Sequence, residues 1–201
     1  MLTQVYLQGT NSSSLSSILH DADFIWTSPD DDLHLPSGAL VDQGFQTSWK
    51  STWTTVLNFV AGAQAHYPGS DLTITGHSLG AAAATLATLG FGDRVTRAIT
   101  FGQPRVGNKI VADAVDQRFG PQKVSYVANG RDWVVHVVPR ILGAQHFSGQ
   151  IWINPANSSN WKYYPGQENI YGADSVLDPP LNFYDHRGIY FRTQVSFSRT
   201  I

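Results

Sequence analysis

The sequence predicts an α/β fold, a mostly parallel sheet with helices against both faces. Three observations carry that expectation. Between residues 72 and 128 the hydrophobic pattern runs strand, helix, strand, helix, strand, the order typical of a parallel sheet with covered faces. A Gly-His-Ser-Leu-Gly run, residues 76–80, stands where the first of these strands gives way to an alanine-rich helix. The 201 residues, 42% of them hydrophobic and punctuated by 18 Gly and 10 Pro, are enough for one sizeable core and too apolar for a disordered chain.

Residues 1–7 (MLTQVYL) read as a strand running into Gly9-Thr10. A Ser-rich cluster follows, then Leu15, Ile18, Leu19 and Ala22 at helical spacing, an amphipathic segment too short to be stable unless it packs on something. Asp30 to Asp32 and Pro36-Ser37-Gly38 mark a solvated loop. From residue 42 to 66 the apolar positions Phe45, Trp49, Trp53, Val56, Leu57, Val60 and Ala61 keep a period near 3.6, predicting a long helix ended by Pro68-Gly69. Next come a strand over 72–75, a helix over 79–89, a strand over 97–101, a helix over 108–119 and a strand over 123–128. After Pro139 the pattern changes to short strands, 150–153 and 189–197, the last a candidate antiparallel edge.

Composition excludes several function classes. The formal charge is −2, from 13 Lys or Arg against 15 Asp or Glu, and the basic residues are scattered, against a nucleic-acid surface or a polybasic membrane patch. No apolar stretch reaches the length of a membrane span, and the first residues do not follow a signal-peptide pattern. With no Cys there is neither a disulfide framework nor a thiolate zinc site, and no ligand cluster has metal-binding spacing. No metal or organic cofactor is expected. Two acceptor sequons, at Asn11 and Asn157, fit secretion but weigh little.

The chemistry points to Ser78. In Gly76-His77-Ser78-Leu79-Gly80 the serine occupies a strand-to-helix turn so tight that neighbouring side chains would collide with it, hence Gly76 and Gly80. The turn lifts the hydroxyl above the sheet, beside the free N–H of Leu79 and the positive end of the helix dipole. A serine needs a base to take its proton and a carboxylate to orient that base. On this type of sheet the order is Ser, acid, His. Asp132, just past the strand at 123–128, is the acid; Asp113 and Asp116 fall mid-helix and read as solvated. His20, His34 and His66 precede the serine, and the turn is expected to point His77 elsewhere. Of the three that follow, His136 lies in an apolar run and reads as packed. His146 precedes a strand. His186, in a polar loop before the last strand, best suits a general base, and His146 stays open.

In several separate blocks the chain resembles the fungal class 3 lipases, an α/β-hydrolase family that also includes feruloyl esterases. The likeness runs from about Val5 to about Phe191. It rests on the nucleophile block at 75–82, the Thr-Phe-Gly-x-Pro-Arg-Val-Gly-Asn block at 100–108, the Asn-x-x-Asp block at 129–132 and the Gly-Phe-x-x-Ser-Trp helix start at 44–49. The resemblance implies that His186, preceding Tyr190-Phe191, is the base, and that His146 has a structural role. It implies a second oxyanion donor at Thr10, in Gln8-Gly9-Thr10, where Gln8 replaces the family arginine. It also implies that residues 11–23, with Leu15, Ile18 and Leu19 along one side, form a lid.

Relative to the family, one domain over residues 1–201 is expected, trimmed at the N-terminus, lacking the usual first helix and strand and any disulfide. The implied activity is ester hydrolysis through an acyl-enzyme, foremost on triacylglycerol, in an extracellular setting and at an oil–water interface. Transmembrane insertion is not expected, and homo-oligomerisation is left open. A feruloyl or short-chain carboxylesterase is the alternative, and a binding domain without catalysis the remote one.

Overall fold

The computed structural model describes residues 2–8, 24–176 and 182–195. The expected lid with Leu15, Ile18 and Leu19, and the expected oxyanion donor Thr10, lie outside the described residues.

Six strands form the central sheet: β1 (Leu2–Leu7), β2 (Asp71–His77), β3 (Val95–Phe101), β4 (Val124–Asn129), β5 (Gln150–Ile153) and β6 (Trp161–Tyr164). Their order across the sheet is their order along the chain. The first five run parallel, and β6 closes the edge antiparallel to β5. A parallel neighbour requires a crossover, and helices supply the early ones. They are α1 (Gln43–His66) between β1 and β2, α2 (Leu79–Phe91) between β2 and β3, and α3 (Lys109–Arg118) between β3 and β4. The predicted fold class is the one observed.

Each helix has a local cause. Asp42 caps α1 by accepting the Phe45 N–H at 3.0 Å, a contact worth about 1 kcal/mol. Its buried residues Phe45, Trp49, Trp53 and Val60 fall on one face. That face meets α2, where the Trp53 ring sits 4.8 Å from Phe91 and a Cβ on Gly90 would come within 2.9 Å of the Trp53 ring. In α2 the run Ala81 to Ala84 is buried throughout, since only small side chains let this helix lie flush between α1 and the sheet. Asn108 caps α3, accepting the Val111 N–H.

Strand β4 is buried at all six positions, so both sheet faces are covered at the centre. At edge strand β1 exposure alternates, with Val5 and Leu7 buried and Leu2 and Tyr6 exposed. A second apolar cluster, Val127, Ile153 and Tyr190 with Phe101, Ile151, Phe191 and Val195, joins the end of the described chain to the sheet.

Two expectations need correction. The 189–197 strand is not the sheet's antiparallel edge. Ile189–Tyr190 instead pairs with Thr193–Gln194 in a separate hairpin, because Phe191 and Arg192 both take positive φ and reverse the chain. The edge is β6, which the sequence reading did not anticipate. Asp116 is also not simply solvated: it accepts the Ser148 N–H and Oγ–H, each at 2.8 Å.

Candidate active site

Ser78 links β2 to α2 at φ 61°, ψ −130°, a region that costs a non-glycine residue about 1–3 kcal/mol. The turn closes because Gly76 lacks a side chain; a Cβ there would lie 2.3 Å from the Gly80 carbonyl oxygen. The Ser78 N–H donates to the Phe101 carbonyl at 3.0 Å, and its own carbonyl accepts from Ala81. The next residue, Leu79, opens α2, so its N–H has no acceptor within the helix and points out at the positive end.

Asp132 follows β4 through the turn at Gly130 (φ 52°). One carboxylate oxygen, Oδ1, accepts the Val134 N–H at 2.8 Å. The other, Oδ2, accepts the His186 Nδ1–H at 2.9 Å and the Tyr190 hydroxyl at 3.2 Å. Burial alone would raise this carboxyl's pKa, but the His186 imidazole and the Val134 N–H outweigh it and hold the group below the usual range. An ionised carboxylate only accepts, so the proton of neutral His186 sits on Nδ1 and leaves Nε2 as the basic atom. Both side chains are almost wholly buried. Main chain runs close beside the pair at Gly102 (φ 54°), where a Cβ would fall 2.7 Å from His186 Nδ1 and 3.0 Å from Asp132 Oδ2.

His186 ends a single helical turn, Phe183–His186, capped by Asn182. That turn is tied to the Asp132 loop at three points. The Asn182 N–H donates to the Arg131 carbonyl at 2.7 Å, the Arg131 N–H to Asp185 Oδ2 at 2.8 Å, and Asn129 Nδ2 to the Asp185 carbonyl at 2.8 Å. Acid and base therefore share one support although 54 residues separate them. Ser78 Oγ and His186 Nε2 are buried with no hydrogen-bond partner among the described residues.

His77 departs from the reading that the turn points it elsewhere. Its ring stacks on the His186 ring, centroids 4.4 Å apart and planes 28° from parallel. Its Nε2–H donates to the His186 carbonyl at 2.9 Å. Burial, then the neighbouring His186, lowers its pKa to about 4, so it is neutral at ordinary pH.

The two remaining candidates belong to another cluster. His146 is buried, stacked on Tyr126 at 4.4 Å, and its Nε2–H donates to the Val135 carbonyl at 2.8 Å. Burial, then Arg105, pushes its pKa down to about 3. His136 is buried too, with Nδ1 3.4 Å from Asp174. Neither is brought into contact with Asp132.

Sequence reasoning missed Tyr190 as a partner of Asp132, Gly102 as the gap that admits the His–Asp pair, and the Asn129–Asp185 tie. The Asn-x-x-Asp block flagged Asn129 without a role, and Tyr190 was visible only as an aromatic marker. Among the described residues no group of three or more His, Asp or Glu could hold a metal ion. No helix there is long and apolar enough to cross a membrane. A cavity of about 450 Å³ lies beside Tyr190, lined by Tyr6, Phe101, Phe191 and Val195; neither Ser78 nor His186 is among its described lining.

Comparison with known proteins shows the family. The profile of the class 3 lipases matches residues 4–142. The chain is 46% identical over 200 residues to the secreted mono- and diacylglycerol lipase MDL2 of Malassezia globosa, covering 96% of this chain and 65% of that protein. It is 41% identical to secreted mono- and diacylglycerol lipase 3 of Gibberella zeae, covering 94% of this chain and 63% of that protein. The triacylglyceride lipase of Rhizomucor miehei superposes with a TM-score of 0.80 at 28% identity, over 95% of this chain and 72% of its own. The chain thus spans a little under two thirds of the curated relatives it matches. With 139 consecutive residues matched by the family profile and close relatives at over 40% identity, the chain belongs to the class 3 lipase family.

Proposed function

We propose that this chain is a secreted serine lipase that hydrolyses acylglycerols through an acyl-enzyme, with Ser78 as nucleophile, His186 as general base and acid, and Asp132 as the carboxylate that orients it. The observation that carries the reading is the buried 2.9 Å bond between His186 and Asp132, formed against the residue next to Ser78. Secretion is argued from the names of the relatives.

In the reaction, His186 Nε2 takes the Ser78 proton as Oγ bonds to the ester carbonyl carbon. The carbonyl π electrons move onto oxygen, which the Leu79 N–H stabilises, together with the second donor proposed at Thr10. Protonated His186 then gives its proton to the departing alcohol as the C–O bond breaks. Water attacks the acyl-enzyme by the same route, losing its proton to His186, and the acid leaves as Ser78 regains its proton. Asp132 stays ionised throughout and stabilises the imidazolium. The His77 ring beneath it stays neutral.

The relatives at over 40% identity are named for mono- and diacylglycerols, which favours partial glycerides as substrates. A specific observation keeps triacylglycerol as the second reading: structural neighbours at 28% identity are triacylglycerol lipases. The test is labelling with an organophosphonate ester, followed by initial rates on mono-, di- and trioleoylglycerol. Labelling confined to Ser78, with di- exceeding trioleoylglycerol hydrolysis, is expected. A folded protein that is unlabelled and hydrolyses none of the three would overturn the proposal.

A further inference from the structure

The glycine-flanked motif accounts for Ser78, Gly76, Leu79 and Gly80, but not for an imidazole at position 77. Its side chain is 6% exposed. It faces His186 by two contacts of different kinds, the stacked ring at 4.4 Å and 28° and the 2.9 Å bond to the His186 main-chain carbonyl. The Tyr190 ring lies edge-on to it, centroids 5.9 Å apart. A carbonyl only accepts, so His77 must carry its proton on Nε2. The ring is thereby fixed at both ends, through its own backbone in β2 and through the turn that bears His186.

We propose that His77 is a positioning residue for the acyl-transfer step: its uncharged ring is a platform that sets the plane of the His186 imidazole, while its N–H holds the backbone from which that imidazole projects. The inference rests on the acyl-enzyme reading above. Asp132 holds His186 at its Nδ1 edge, Tyr190 in turn donates to Asp132, and the Phe183 ring lies 5.6 Å from the imidazole at 33°, farther off than the His77 ring; a ring held chiefly by one edge can still tilt about that bond. A stacked neighbour removes the tilt. It also matters in the charged state, because a neutral ring in stacking contact tolerates the imidazolium, whereas a second cation there would repel it. Burial keeps His77 in the neutral form that does this. The other titratable groups facing the pair are Asp132 and Tyr190.

Three variants separate the roles. His77→Phe keeps a ring without the donor, His77→Gln keeps a donor without the ring, and His77→Ala removes both. Acylation by a soluble p-nitrophenyl ester is measured as kcat and KM, with the low-field proton signal of the His186–Asp132 hydrogen bond recorded by NMR. The expected result is a fall in kcat of about thirtyfold or more for His77→Ala and His77→Gln, with KM within about twofold and the low-field signal broadened or lost. His77→Phe should recover kcat to within about fivefold of the unaltered chain, with the signal restored. If His77→Ala does not fold, the comparison of His77→Gln with His77→Phe decides the matter. Wild-type kcat in His77→Gln, or equal losses in His77→Gln and His77→Phe, would overturn the inference. Ser78→Ala and phosphonate labelling run alongside keep the outcomes apart: if the unaltered chain labels at Ser78 while His77→Gln is fully active, the platform fails and the acyl-enzyme reading stands.

Discussion

Two buried polar clusters among the described residues differ in what sits at the centre. In one, Asp132 and Tyr190 gather around the imidazole of His186. In the other, Glu168 and Asp174 gather around the guanidinium of Arg105, which meets both Glu168 oxygens at 2.8 and 2.9 Å, Asp174 at 3.2 Å and the His136 carbonyl at 3.0 Å. Both contain acids and histidines away from water. A guanidinium keeps its proton under all ordinary conditions and locks a planar fork of donors, so the second cluster can only hold chain segments together. An imidazole can give and take a proton within the pH range of the solvent. Burial is common to the two regions; exchangeability of the central proton separates chemistry from architecture.

The sharpest contrast comes from altering each centre's partner. Ser78→Ala should abolish turnover, by about 10⁶-fold, with the thermal transition little changed, because the hydroxyl forms no hydrogen bond with the described residues. Asp132→Asn should follow, with kcat down by about 10⁴-fold. The amide cannot accept both the His186 Nδ1–H and the Val134 N–H as well as the carboxylate does, and the imidazole tautomer is lost. Active-site titration with a phosphonate ester and steady-state rates check both. A folded Asp132→Asn protein within tenfold of the unaltered rate would break the comparison on its catalytic side.

Arg105→Met should do the reverse. It leaves Glu168 and Asp174 buried without their counter-charge, a loss of about 3–5 kcal/mol, while kcat per folded molecule stays near normal. Arg105 pins the 168–174 segment to the turn after β3, and the His146 N–H adds a bond to Glu168 at 2.5 Å. Urea unfolding together with kcat normalised to phosphonate-reactive sites distinguishes the two effects. Normal stability with lost turnover would mean that the cluster belongs to the catalytic apparatus.

How far the sequence foretold these regions follows from the range of the forces involved. Helix α1 was legible because a 3.6-residue apolar period and a Pro-Gly stop lie within one window. The nucleophile turn was legible because its steric demand is local, falling on Gly76 and Gly80. The Arg105 cluster was not, although Arg105 stands in a recognised block: its acids are 63 and 69 residues away, and no spacing rule links them. Strand β6 was missed because four residues, WKYY, carry too little alternation to separate an exposed edge from a loop. The stacking of His77 on His186 was missed for a related reason. Chain direction at the turn says where a side chain leaves the backbone, not what the fold brings to meet it from 109 residues away.

Acid should weaken the histidine-bearing cores of both clusters before it protonates the carboxylates that lie below their usual range. His77 and His146 are held to about 4 and about 3 in the folded protein, against about 6.5 unfolded. The unfolded chain therefore binds more protons below pH 6.5, and folding stability falls as pH drops from there toward 4. The combined loss is on the order of 5 kcal/mol by pH 4.5, at about 1.4 kcal/mol per unit for each group. His146→Phe, which keeps a ring against Tyr126, should flatten the slope of stability with pH in that window by about half. An unchanged slope would show that these two histidines are not the groups being titrated.

The smallest effect expected is at Tyr190, and it tests where the catalytic region ends. Its hydroxyl is 3.2 Å from Asp132 Oδ2, long for an O–H bond to a carboxylate, and that oxygen already accepts from His186. Burial and the adjacent Asp132 raise the Tyr190 pKa well above its usual value, so the group stays protonated and can only support Asp132 as a donor. Tyr190→Phe preserves the ring that packs on Phe101 at 5.5 Å and on His77, and removes one hydrogen bond to a charged group, near the lower end of about 1.5–3 kcal/mol. Turnover should fall about tenfold with KM unchanged. Unchanged turnover would show that only the ring, as packing, matters at this position, and would put Tyr190 with the Arg105 side of the comparison.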